Sequence, residues 1–159
     1  MSYPRDLLDA AIELYRVQPG NQATLRRSVS TAYYALFHLI IETACENWPA
    51  SQRSRVARQF EHRRIKAASS DAAKKGYTSV SPVQAGLVVV VNTFVQLQES
   101  RLVADYDLGV VLSPEEAALD ILLVEEAFKI WNEIKNDPIA QDYLFSLLFK
   151  DRLQPASER

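Results

Sequence analysis

Across residues 22–47 the chain carries neither glycine nor proline, and apolar residues run almost all round a helical projection through Ala32, Tyr33, Tyr34, Ala35, Leu36 and Phe37. A helix that is apolar on nearly every side has to be surrounded by other elements. The remaining chain must therefore build a shell around this one helix. Asn21 is its candidate cap, and Trp48-Pro49 stops it.

The shell reads as further helices. Leu7, Leu8, Ala11, Leu14 and Tyr15 fall at helical spacing before Pro19-Gly20 interrupts them. In residues 84–105 the run Val88-Val89-Val90-Val91 favours a strand, but Leu87, Val91, Phe94 and Gln98 keep helical spacing for longer than a normal strand, so length decides for helix. Ser113-Pro114-Glu115-Glu116 is a capping box with proline at the first helical position, which predicts a helix from 114 to about 135. Asp137-Pro138 repeats the signal for a last helix carrying Ile139, Tyr143, Leu144, Leu147, Leu148 and Phe149. Residues 76–82 read as a loop. With 159 residues the expectation is one domain over 1–153 and a frayed tail over 154–159. Its architecture is an all-α, up-and-down antiparallel bundle of five to six helices.

Charge and cysteine content narrow the function classes. A formal net charge of −2 leaves no globally basic surface for nucleic acid, so any such contact has to be local. Eight of the 18 basic residues lie between 51 and 75: Arg53, Arg55, Arg58, Arg63, Arg64, Lys66, Lys74 and Lys75, against Glu61 and Asp71 alone. The arginines from Arg53 to Arg64, with Lys66, are either a phosphate track or a solvated helical face. Cys45 is the single cysteine, in an apolar helical context, which fits a reducing cytoplasm. Residues 1–9 lack the charged-then-apolar order of a secretory signal, and no apolar run approaches the ~20 residues of a membrane span. His38 and His62 are the only histidines, and neither has the carboxylate-rich helical set of a bundle metal site, so neither metal nor cofactor is expected.

Two polar islands interrupt the apolar pattern. At 100° per residue, Arg27, Thr31, Tyr34 and His38 fall within roughly 60° of one another on the central helix. On the later helix Arg101 continues the face of Leu87 and Phe94, and Asp105 stands four residues on, within pairing reach. An arginine fork suits a phosphate and an imidazole exchanges a proton near neutral pH, so His38, Arg101 and Asp105 are candidate catalytic residues, with Arg27, Tyr34 and Tyr106 as substrate contacts. The plainer alternatives are a satisfied core histidine, an Arg101–Asp105 pair that sets helix register, and Tyr33, Tyr34 and Phe37 as core.

The same residues carry a resemblance. Leu25-Arg26-Arg27-Ser28-Val29-Ser30-Thr31-Ala32-Tyr33-Tyr34-Ala35-Leu36-Phe37-His38 resembles the RxAISRAYYAxFHAA helix of bacterial and archaeal HEPN-domain proteins. Arg101-Leu102-Val103-Ala104-Asp105-Tyr106 resembles that branch's later R-x-x-A-D-Y motif, and Arg58-Gln59-Phe60-Glu61-His62 is a fainter match to a connecting segment. The resemblance spans about 26–148. It implies a helical bundle paired as a homodimer, an RNA- or nucleotide-binding role, and metal-independent RNA cleavage of toxin–antitoxin or host-defence type, with a nucleotidyltransferase or other antitoxin as protein partner. Active members have a histidine four to six positions after the arginine, where this chain has Asp105, Tyr106 and Asp107. A non-catalytic interaction module, dimerising through the wide apolar face of the last helix or serving as antitoxin or scaffold, is the reading from a different class; a core position is the other explanation of that face.

Overall fold

The computed structural model describes residues 2–60, 65, 69, 70 and 81–149. Among these every regular element is a helix: α1 (Tyr3–Val17), α2 (Gln22–Glu46), α3 (Ala50–Ala57), α4 (Pro82–Tyr106), α5 (Pro114–Ile134) and α6 (Pro138–Phe149). The chain is an all-helical bundle, as the apolar pattern requires.

α2 is the axis. Asn21 Oδ1 accepts from the backbone N–H groups of Ala23 and Thr24 at 2.9 and 3.3 Å, closing the start of the helix. Leu25, Val29, Ala32, Tyr33, Leu36, Ile40 and Ala44 are all buried along it. Cross-contacts fix the direction of its neighbours. Tyr3 meets His38 with ring centroids 5.0 Å apart, and Tyr15 packs against the cluster that holds Leu25 and Val29, so α1 runs antiparallel to α2. Arg26 reaches Val103, and Tyr33 meets Phe94 at 5.5 Å, so α4 is antiparallel as well. Leu25 clusters with Ala117 while Thr43 bonds Trp131, so α5 runs parallel to α2. That is the up-and-down order.

The four-valine run lies inside α4, where Leu87, Val90, Val91, Phe94 and Leu97 are buried at helical spacing. The tertiary face overrides strand propensity. The helix begins earlier than the sequence reading allowed. Ser81 Oγ accepts from Gln84 N–H at 3.2 Å, and Gln84 Oε1 accepts from Ser81 N–H at 3.3 Å. Pro82, read as the end of a loop, is therefore the first helical residue, its missing N–H one that no intrahelical acceptor awaits. α5 starts on the predicted box, with Ser113 and Glu116 exchanging bonds of 3.1 and 3.0 Å.

α4 and α5 approach closely at Gly86, where a Cβ would lie 2.9 Å from Ile130 Cγ2. At the other side of the core Trp131 is fully buried, and its indole N–H donates to Thr43 Oγ1 at 2.9 Å. That bond spares the indole the cost of an unpaired buried donor. Tyr143, on α6, bonds Ser69 at 2.7 Å and meets Trp131 edge-on. The α6 stripe Ala140, Tyr143, Leu144 and Leu147 is core, whereas Phe145 is 55% exposed. Among the described residues no helix is long and apolar enough to cross a membrane.

Candidate functional site

Arg101 sits on the buried edge of α4 with its side chain 13% exposed. Its Nη2 donates to the Tyr34 hydroxyl at 3.1 Å, and its guanidinium carbon lies 5.6 to 5.7 Å from the ring centres of Tyr33, Tyr34 and Tyr106. Three aromatic faces attract a cation electrostatically. Nε lies 2.9 Å from Asp105 Oδ2, one turn on, but the contact is one of charge, since Nε has no aligned hydrogen-bond acceptor among the described residues. Burial opposes the Arg101 charge, yet Tyr34, Asp105 and Tyr106 outweigh it and push the group further toward its protonated form. Tyr33 is fully buried, and burial raises its phenol well above the usual range.

Tyr34 is the hinge of the arrangement. Its ring stands 6.5 Å from the His38 ring, so the polar side chains from Thr31 to His38 run along two turns of α2. His38 is half-buried, edge-on to Tyr3 at 5.0 Å and to Phe37 at 5.4 Å. Burial lowers its pKa, which keeps the imidazole neutral near pH 7. On its other side His38 lines a surface hollow of about 290 Å³ together with Tyr3, Ile41, Glu42, Cys45 and Arg53. Arg53 is steadied by its Nε donating to the Trp48 carbonyl at 3.0 Å. The Cys45 thiol, directed at the Arg53 carbonyl at 3.6 Å, is raised by burial, which Arg53 partly offsets.

The predicted residues thus fall into two neighbouring groups. Arg101, Asp105, Tyr34 and Tyr106 gather at the α2–α4 seam, and His38 and Arg53 both line the hollow between α1, α2 and α3. Arg27 is exposed, and its carbonyl accepts from Thr31 Oγ1 at 2.7 Å. Arg55 and Arg58 are exposed at α3, while Arg63, Arg64 and Lys66 lie outside the described residues. A larger hollow of about 410 Å³ between the end of α2 and α6 is lined by Trp48, Leu144 and Phe145 and by none of the predicted site residues.

Three residues escaped the sequence reading. Arg26, not Arg27, faces α4: Nη1 donates to the carbonyls of Val103, Ala104 and Asp107 at 3.2, 3.1 and 2.9 Å, and Nη2 donates to Val110. It caps the last turn of the helix that carries Arg101 and Asp105, four residues after Gln22, whose amide exchanges bonds of 2.7 and 3.0 Å with the backbone of Leu112. Glu42 belongs to the hollow, and its spacing of four from His38 was a usable signal. Asp120 is buried at the α4–α5 contact with Ser100 and Gln96 as hydrogen-bond partners, and burial raises its carboxyl. Among the described residues no group of three or more histidine, cysteine or carboxylate side chains could hold a metal ion. No family model, no curated protein and no solved structure matches the chain.

Proposed function

We propose that the chain is a cytoplasmic, HEPN-like RNA- or nucleotide-binding protein, with metal-independent cleavage of RNA as the activity its residues would serve. The observation that carries this reading is Tyr34, whose hydroxyl holds Arg101 while its ring flanks His38. A guanidinium able to bind a phosphate and a neutral imidazole able to accept a proton then border the same phenol. Arg53 adds a second cation in the hollow that His38 lines. In cleavage His38 would take the proton of the ribose 2′-hydroxyl, whose oxygen would bond to the adjacent phosphorus as the P–O5′ bond breaks, leaving a 2′,3′-cyclic phosphate; the departing 5′-oxygen would take its proton from water, and Arg101 would exchange part of its Asp105 contact for the phosphate charge that develops.

The test is RNA binding and cleavage by the purified protein at low salt, where phosphate contacts are strongest. Arg101→Ala should weaken binding and lower the salt slope by about one. His38→Ala should abolish cleavage while circular dichroism shows the helical fold retained. Absence of both RNA binding and cleavage at low salt ends the RNA reading.

The second reading is a non-catalytic interaction module that dimerises and engages a protein partner such as an antitoxin or a nucleotidyltransferase. It is favoured by the apolar residues exposed just after Arg101, with Tyr106 at 69%, Leu108 at 86% and Val111 at 77%. Light scattering that returns a dimer, together with a stoichiometric protein partner and no nucleic acid, would select it.

A further inference from the structure

We propose that the hollow between α1, α2 and α3 is a slot for a single guanine base, with Glu42 reading its edge and Arg53 taking the adjoining phosphate. The proposal rests on the nucleotide-binding reading above and adds a base identity to it. The hollow, at about 290 Å³, is near the lower limit of ~300 Å³ for sites that enclose a ligand, so it suits one base rather than two.

Its walls are Tyr3, Pro4, Ile41 and Ala57, and the Tyr3 and His38 rings stand edge to face at 5.0 Å, which offers an aromatic face for stacking. The polar groups in it are unspent. Glu42 is exposed and has neither an ion-pair nor a hydrogen-bond partner among the described residues. Arg53 commits only its Nε, to Trp48, so its terminal nitrogens remain for a ligand. The two line one hollow without pairing with each other.

An ionised carboxylate is acceptor-only, with two oxygens side by side. It is matched by two adjacent N–H donors, and among the four RNA bases only guanine presents them, at N1 and N2. Adenine and cytosine each set an amino donor beside a ring acceptor, and uracil flanks its one N–H with two carbonyls. The carboxylate would meet a lone pair in each of these and reject it.

The experiment is a calorimetric titration of the full chain with GMP, IMP, AMP, CMP and UMP, with a parallel series of single-stranded RNAs carrying one G or one A in a uridine background. GMP should bind at least about ten-fold more tightly than AMP, CMP or UMP, and IMP, which lacks the N2 amino group, should fall between. Glu42→Gln, a surface change that leaves folding intact, should bring GMP down to the AMP level. Equal binding of the five nucleotides, no binding of any, or a GMP preference that survives Glu42→Gln would overturn the slot. RNA binding without base preference would remove the slot and leave the RNA-binding reading standing. GMP selectivity without RNA binding would identify a free nucleotide as the ligand and remove the RNA reading instead.

Discussion

Arg101 Nη2 donates to the Tyr34 hydroxyl at 3.1 Å, across the seam between α2 and α4. The bond matters because both partners are largely shielded from water, so a lost acceptor is not replaced at once by solvent. Tyr34→Phe should cost about 1 kcal/mol of stability in urea unfolding. It should also reduce RNA affinity if the guanidinium is the phosphate contact, because the fork would no longer be held. Unchanged stability would mean that Asp105 and the tyrosine faces suffice to hold Arg101.

Arg26 satisfies four carbonyls at the end of α4 and in the segment after it. Hydrogen bonds from a charged donor are worth more than neutral ones, so Arg26→Ala should destabilise by about 2 to 3 kcal/mol. Arg26→Lys should recover only part, because an ammonium cannot fork across carbonyls on two segments. Equal unfolding midpoints for the wild type and Arg26→Ala would refute the cap.

Gly86→Ala sets two magnitudes against each other. Alanine improves a helix interior by about 0.5–1 kcal/mol over glycine, whereas forcing a methyl into a packed seam costs about 1–3 kcal/mol. With Ile130 Cγ2 2.9 Å from the new Cβ and Ile134 close behind, the steric cost wins. A net loss of about 1 kcal/mol is expected, and a gain in melting temperature would show that Ile130 moves aside freely.

Stability between pH 4 and pH 7 should carry two opposing slopes. His38 has a folded pKa below its ordinary 6.5, so the stability it contributes is complete above that value and is lost as pH falls through the folded pKa. Asp120 has a folded pKa above its ordinary 3.8, so its contribution is complete below that value and is lost as pH rises through the folded pKa. His38→Phe should therefore remove part of the acid-side loss, and Asp120→Asn should make the acid-side loss steeper. Chemical denaturation at half-unit pH steps reads both, and identical profiles for all three proteins would contradict the assignment.

The fold was legible wherever local chemistry and apolar period agreed. Asn21, Ser113-Pro114-Glu115-Glu116 and Asp137-Pro138 announced starts that the helices use. Ser81-Pro82-Val83-Gln84 is the same kind of box as the one at Ser113, yet Pro82 read as the end of a loop because the residues before it are rich in turn formers. In the candidate site the pairing of Arg101 with Asp105 followed from spacing alone, since both lie on one helix. The choice between Arg26 and Arg27 did not. Adjacent positions point 100° apart, and only the location of α4 decides which one turns inward. That His38 and Arg53 share one hollow was likewise hidden, because it depends on how α3 folds back after Trp48-Pro49.

The clamp made by Gln22 and Arg26 ties residues 107–113 to the first turns of a helix some eighty positions earlier in the chain. That segment contains Leu108 and Val111 almost bare to water, so little of its order comes from burial. Its backbone amides should then exchange with deuterium in step with fraying of the α2 start and far sooner than those of the Trp131 region. One polar turn governs when this corner of the molecule opens, on a clock separate from that of global unfolding.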